Sequence, residues 1–350
     1  MKNLVDHLKQ ERNLSREEYV RLLTCFDREL LAYINNAARE VATAVFDKAI
    51  YIRGLIELTN YCRNNCSYCG IRSGNRNVER YRLSKEQILA CCRLGGNLGL
   101  KTVVLQGGED PALSDDFIED LVRSIRSEFP DTALTLSLGE RTREAYQRFF
   151  DAGANRYLLR HETANRIHYY HLHPQEMSFE NRMGCLRTLK EIGYQTGAGM
   201  MIGSPGQSID NLVDDIFFLK QLRPEMIGMG PFVPQKDTPF ASQPRGSVEL
   251  TLMLISICRL LFPQALIPST TSLATLSRNG YEQGILAGAN VVMPNLTPAA
   301  YRSKYVIYDN KKSSSLEISE EFYELKKQIK TIGYHFSTSR GDYKITSDYV

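Results

Sequence analysis

The sequence lacks the features that would mark several large protein classes. No apolar run approaches the ~20 residues needed to span a bilayer, and residues 1–12 are charged where a secretory leader would carry an apolar core. Neither sign of charge dominates: 43 Lys and Arg stand against 40 Asp and Glu, a formal net charge of +3. The basic excess or stripe of a nucleic-acid-binding domain is therefore missing. Glycine and proline number only 24 and 13 in 350 residues, too few for a low-complexity or collagen-like chain. The first strand candidate is not followed by Gly-x-Gly-x-x-Gly, the mark of an open dinucleotide-binding sheet. What remains is ordinary for a packed domain, 43% hydrophobic and 24% charged. A cytoplasmic protein is expected, with no membrane and no nucleic-acid partner. Its eight cysteines then point to metal or redox chemistry in place of structural disulfides.

Residues 1–48 read as helical. Ser15 with Glu18 forms a capping box, and an Ala-rich amphipathic stretch runs from 28 to 46. They are expected to cap one end of the main domain. From residue 50 short apolar runs at 52–59, 102–106, 133–138, 156–161, 197–202, 226–230, 266–270 and 290–294 predict strands. Helical periodicity fills 84–98, 115–128, 141–151, 178–192, 208–221, 248–261 and 273–286, and Gly153, Gly193 and Gly288 stand where helices should stop. Strict alternation predicts a parallel sheet, and eight strands with right-handed crossovers close most simply into an α/β (β/α)8 barrel spanning 49–308. Residues 309–350 shift in composition: polar at 310–315, helical at 317–329, polar and aromatic from 333. They are expected to pack on the barrel as a C-terminal segment.

The chemistry concentrates in Cys62-Arg63-Asn64-Asn65-Cys66-Ser67-Tyr68-Cys69, three thiols within eight residues on the loop after the first strand. In a barrel such loops build the active face. Three close thiolates suit iron–sulfur ligation, whereas a structural zinc site normally takes four protein ligands, and no fourth lies near in sequence. A cluster held at three corners keeps one iron open to a substrate. Cys25, Cys91, Cys92, Cys185 and Cys258 read as buried helix residues. Of the histidines, only His161 falls at a strand end; His168, His171 and His173 read as surface residues.

The spacing Cys-x3-Cys-x2-Cys, with aromatic Tyr68 before the last cysteine, resembles that of the radical S-adenosylmethionine (SAM) enzymes. The resemblance implies that Cys62, Cys66 and Cys69 hold a [4Fe-4S] cluster. SAM would chelate the open iron and be cleaved by one electron to methionine and a 5′-deoxyadenosyl radical. Gln106-Gly107-Gly108-Glu109 at the second strand end matches the family loop that meets the SAM amino group. Glu162 and Arg182 would pair with each other and with the SAM ribose and carboxylate. The segments 105–111, 135–140, 157–165, 197–207, 230–239, 268–271 and 288–301 resemble the HydE group of [FeFe]-hydrogenase maturases more than the related methylornithine and biotin synthases. That resemblance places Gln106, Thr135, Ser137, Arg160, Thr270, Thr271, Tyr301 and Tyr305 around an internal cavity. It implies an anionic iron–cysteine–CO/CN complex as substrate, other hydrogenase maturases as partners and an external electron donor. Arg160 is the natural anion anchor, since a guanidinium offers a planar donor fork. No cysteine follows Cys258, so the second, C-terminal cluster of some family members is not expected. Two other readings stay open at this point: a radical SAM mutase or synthase acting on a small amino acid, and an iron–sulfur carrier that does not cleave SAM.

Overall fold

Three N-terminal helices, Lys2–Glu11, Arg16–Thr24 and Arg28–Phe46, precede the first strand. The structure is a computed structural model that describes residues 1–311 and 318–344. The Ser15 capping box is formed, and Asp27 caps the long third helix through its Oδ1. The apolar faces of these helices bury Tyr19, Leu22, Leu31, Ile34 and Ala38. They lie against helices Ile209–Leu222 and Val248–Leu261, and the third also meets strand Ala49–Ile52.

Parallel strands Gly54–Thr59, Thr102–Gly107, Ala133–Ser137, Arg156–Leu158, Gln195–Ala198 and Met226–Ile227 pair in chain order. Single parallel bridges close the ring: Met226 with Leu266, Pro268 with Val291, and Leu55 with Asn295. The eight staves are those expected from the alternation, and the chain is an α/β barrel of the (β/α)8 type. Two of the long strands are interrupted. Gly199 and Gly228 approach so closely that a Cβ on Gly199 would sit 1.7 Å from the Gly228 carbonyl oxygen. Beyond them the chain pairs again as Met201–Ile202 with Gly230–Pro231. The expected helix over 273–286 is likewise split, into Thr271–Leu276 and Gly280–Leu286, and a short helix, Arg166–Leu172, follows the fourth stave.

The opposite mouth of the barrel is sealed by residues 335–344. His335–Phe336 pairs with the outer strand Ala49–Ile52. Fully buried Arg156, at the start of the fourth stave, donates to the carbonyls of Arg340 and Gly341 and to Asp342 Oδ1 at 2.7 Å. Helix Ile318–Thr331 packs through Phe322, Leu325 and Ile329. Parts of the expected segments 310–315, 317–329 and 333–350 lie outside the described residues. Among the described residues no helix is long and apolar enough to cross a membrane.

Candidate active site

The C-terminal ends of the staves surround a cavity of about 280 Å³. Cys62, Cys66 and Cys69 all line it, with Tyr68 between the last two. The loop that carries them is pinned from several sides. Arg63 N–H donates to the Glu109 carbonyl, Ser67 N–H to that of Leu172, and Gly70 N–H to that of Ile307. The Arg80 guanidinium donates to the carbonyls of Asn60, Ile71, Arg72 and Asn75. Gly108 lets the second loop lie directly beneath: a Cβ there would stand 2.2 Å from the Tyr61 carbonyl oxygen and 2.7 Å from Cys62 Cβ.

Burial pushes the Cys62 thiol up and Cys66 well up, and lifts Cys69 to about 12, so all three stay protonated near neutrality. A bound cationic iron centre reverses that preference, because a metal-coordinated thiol deprotonates. Among the described residues no group of three His, Cys, Asp or Glu side chains converges as single-ion ligation requires. Three thiols from one loop that line one cavity are the donor type that iron–sulfur ligation uses.

Gln106, Gly107, Gly108 and Glu109 line the same cavity, as do Ser137, Arg160, Glu162, Arg182 and Tyr305. Gln106 donates to the Tyr305 hydroxyl at 3.3 Å. Arg160 spends one nitrogen on the Met200 carbonyl at 2.7 Å and lies 2.9 Å from Glu162 Oε2, while its buried Nε makes no hydrogen bond among the described residues. Glu162 has φ +65°, a left-handed conformation that costs a side-chain-bearing residue about 1–3 kcal/mol. Its N–H donates to Gly199 O and its carbonyl accepts from Met201 N–H. Burial opposes the charge of Arg182, but Tyr169, Glu140 and Glu109 outweigh it and hold the guanidinium firmly protonated.

The expected Glu162–Arg182 pair is not formed. Arg182 is bound to Glu140 Oε1 at 2.5 Å and to the Arg160 carbonyl at 2.7 Å, and Glu162 faces Arg160 instead. Glu109 is similarly engaged, by Arg63 and by Glu140 N–H. Four of the residues expected around the cavity lie outside its lining. Thr135 sits two positions below Ser137 on its strand, buried, its hydroxyl unpartnered among the described residues. Thr270 caps the start of helix Thr271–Leu276, with its hydroxyl on Ser272; Thr271 accepts from the Tyr281 hydroxyl. Tyr301 packs against Tyr81 and accepts from Gln87. In their place Ser272, Met201, Phe232, Ile307 and Tyr308 complete the wall. Ser272 stands beside Thr270 and Thr271, and Met201 and Phe232 fall within the segments 197–207 and 230–239, whereas Ile307 and Tyr308 lie beyond the last of those segments and carry no local signature.

Two further expectations are corrected. His168 and His173 are buried, not exposed: His168 bonds to the Pro205 carbonyl, and His173 holds the Tyr68 hydroxyl at 3.2 Å. Burial, with Arg182 nearby, lowers His173 to about 3, so it is neutral and its Nε2 accepts. Cys25 is exposed at a helix end, unlike the other four cysteines outside the loop.

A closed parallel barrel with three thiols on its first active-face loop defines a radical SAM enzyme, and residues 56–219 match the Radical SAM superfamily model. Within that superfamily the chain belongs to the family of the [FeFe] hydrogenase maturase subunit HydE: it is 46% identical to that protein from Thermotoga maritima over 302 residues, 86% of each chain. The 3-methylornithine synthase of Methanosarcina acetivorans is 29% identical, covering 91% of this chain and 88% of that one. Among solved structures, methylornithine synthase (PylB) superposes with TM-score 0.81 at 24% identity, covering 95% of this chain and 97% of that one. The [FeFe]-hydrogenase maturase HydG superposes with TM-score 0.82 at 21% identity, covering 97% and 76%. At those identities the superpositions speak for the barrel fold alone.

Proposed function

We propose that this chain reductively cleaves SAM at a [4Fe-4S] cluster held by Cys62, Cys66 and Cys69, and that it acts in [FeFe]-hydrogenase maturation on a small anionic substrate. When bound, the cluster supplies the single electron that breaks a carbon–sulfur bond of the sulfonium. The chain's own residues bind, orient and shield. Gly107 and Gly108 bring backbone close enough to meet the SAM amino group. Glu162, its carboxylate turned into the cavity by its left-handed backbone, is suited to the ribose hydroxyls. Arg182, held between Glu140 and Glu109, donates to the Arg160 carbonyl and lines the cavity where a SAM carboxylate would lie. Apolar Leu158, Met201, Phe232 and Ile307 keep bulk water from a reactive intermediate.

The observation that carries the substrate class is Arg160, a guanidinium on the cavity wall whose Nη2 meets the Met200 carbonyl and Glu162 and whose buried Nε makes no hydrogen bond among the described residues. Such a group favours an anion, and an iron–cysteine complex bearing CO and cyanide is the candidate that the family supplies. Products would pass to other maturases, and an external donor would reduce the cluster. Reconstituted anaerobically with iron and sulfide, the chain is expected to consume that complex together with SAM under reducing conditions, and to leave lysine untouched. Consumption of lysine with SAM would move the chain to the methylornithine-type chemistry; a reduced cluster with no SAM cleavage would make it an electron carrier.

A further inference from the structure

Arg160 and Glu162 face the cavity, and the residue between them faces away. His161 is fully buried behind the fourth stave against helix Ile209–Leu222, its ring edge-on to Phe218 at 4.8 Å. Its Nδ1 accepts the Gly199 N–H at 3.2 Å, so the ring proton is on Nε2, which stands 3.2 Å from Asp215 Oδ1 as a close polar contact outside hydrogen-bond geometry. The same Oδ1 accepts the Ala164 N–H at 2.5 Å. Asp215 is itself fully buried in the helix. One carboxylate oxygen thus reaches residues 161 and 164, on both sides of the left-handed Glu162. Gly199 is the second shared anchor: it donates to His161 and accepts from Glu162 N–H.

We propose that His161 and Asp215 form a clamp behind the cavity wall that holds Glu162 in its left-handed conformation and, through it, aims Glu162 and Arg160 at their ligands. They are positioning residues, and neither lines the cavity. The reason for a clamp is conformational. A glutamate with positive φ relaxes toward the ordinary extended region unless its surroundings over-determine it, and here the flanking residues are tied to a rigid helix and to the next stave. Release of the tie lets the carboxylate swing off its aim without disturbing the thiols on the first loop. The loss should appear in SAM affinity rather than in cluster content. Oδ2 of Asp215 has no hydrogen bond among the described residues, so an asparagine can present its one oxygen to the Ala164 N–H and to the His161 ring as Oδ1 does. A conservative rescue is therefore built into the geometry.

This inference rests on the reading of Glu162 as a SAM contact, and the test separates the two. The full chain, reconstituted with its cluster, is assayed for kcat and KM with SAM, and by electron paramagnetic resonance of the reduced cluster with and without SAM. Glu162→Ala tests the contact itself. His161→Phe keeps the aromatic packing on Phe218 and removes both ring nitrogens; Asp215→Ala and Asp215→Asn test the other half. KM for SAM is expected to rise about tenfold in Glu162→Ala and in His161→Phe, the size of one lost buried polar contact, with cluster absorption near the parent in both and kcat near the parent in His161→Phe. Asp215→Ala should follow His161→Phe where it folds, and Asp215→Asn should stay within about threefold of the parent, as both contacts are retained. A parental KM and a parental SAM-dependent resonance change in His161→Phe, with KM raised in Glu162→Ala, would overturn the clamp. A parental KM in Glu162→Ala would overturn the SAM contact on which it stands.

Discussion

Arg156 opens the fourth stave and Arg160 lies just past its end, four residues on, and the fold treats them oppositely. Arg156 is saturated. It donates to Gln195, Thr102, two carbonyls and Asp342, and its side chain is wholly buried. Arg160 keeps a third of its side chain exposed to the cavity and leaves a buried nitrogen without a hydrogen bond among the described residues. The first arrangement is a closed plug; the second is a donor held ready. Residue type is therefore a poor guide to role on this stave, and the degree of satisfaction is a better one: a polar group that the protein itself completes is structural, and one left incomplete at the active face awaits a ligand.

The comparison can be broken at either end. Arg156→Met removes the plug's bonds and should cost about 2–3 kcal/mol of stability, a charged hydrogen-bond network lost from a buried site. In thermal melts this appears as a fall of several degrees, while kcat for SAM cleavage stays at the parental value. A fall in kcat with stability unchanged would show that the plug reaches the chemistry. Arg160→Lys should do the reverse. SAM affinity is retained, and substrate affinity weakens about tenfold as a planar fork becomes a point charge; isothermal titration with the anionic complex reads it, and equal affinities would remove the anchor.

The smallest effect concerns acid. Burial acts to raise the Asp342 carboxyl, but the hydrogen bond and charge of Arg156 outweigh it and hold the group below the usual carboxylate range. A depressed folded value means that the bridge contributes fully above the unfolded pKa of about 3.9 and is lost as pH falls through the lower folded one. Stability of the parent should thus decline below about pH 4, and this part of the decline should be absent in Arg156→Met. Denaturant titrations across that window check the slope, and identical slopes would exclude the linkage.

The barrel was legible because each stave writes its own signal: an apolar run bounded by helix caps and stops, repeated eight times. The thiol loop was legible because its ligands are neighbours in sequence. What escaped was set by tertiary approach. Nothing local says that Gly199 and Gly228 meet and divide two strands, or that Glu162 turns left-handed on the strength of Gly199 and Met201. The buried histidines escaped for the same reason. His173 sits in a polar stretch, and only the fold stacks it on Tyr169 and brings it to Tyr68. The Glu162–Arg182 pairing failed because Glu140, on the loop after the preceding stave, holds the guanidinium instead.

The central claim is that three thiols on one loop hold an iron–sulfur cluster that reduces a sulfonium. Its most direct test is Cys66→Ala beside the parent, both reconstituted anaerobically, with iron, sulfide, visible absorption and deoxyadenosine release measured on each. The parent should carry a [4Fe-4S] chromophore and cleave SAM once reduced, and the variant should lose both together. Zinc in place of iron in the parent, or undiminished SAM cleavage by the variant, would contradict the account.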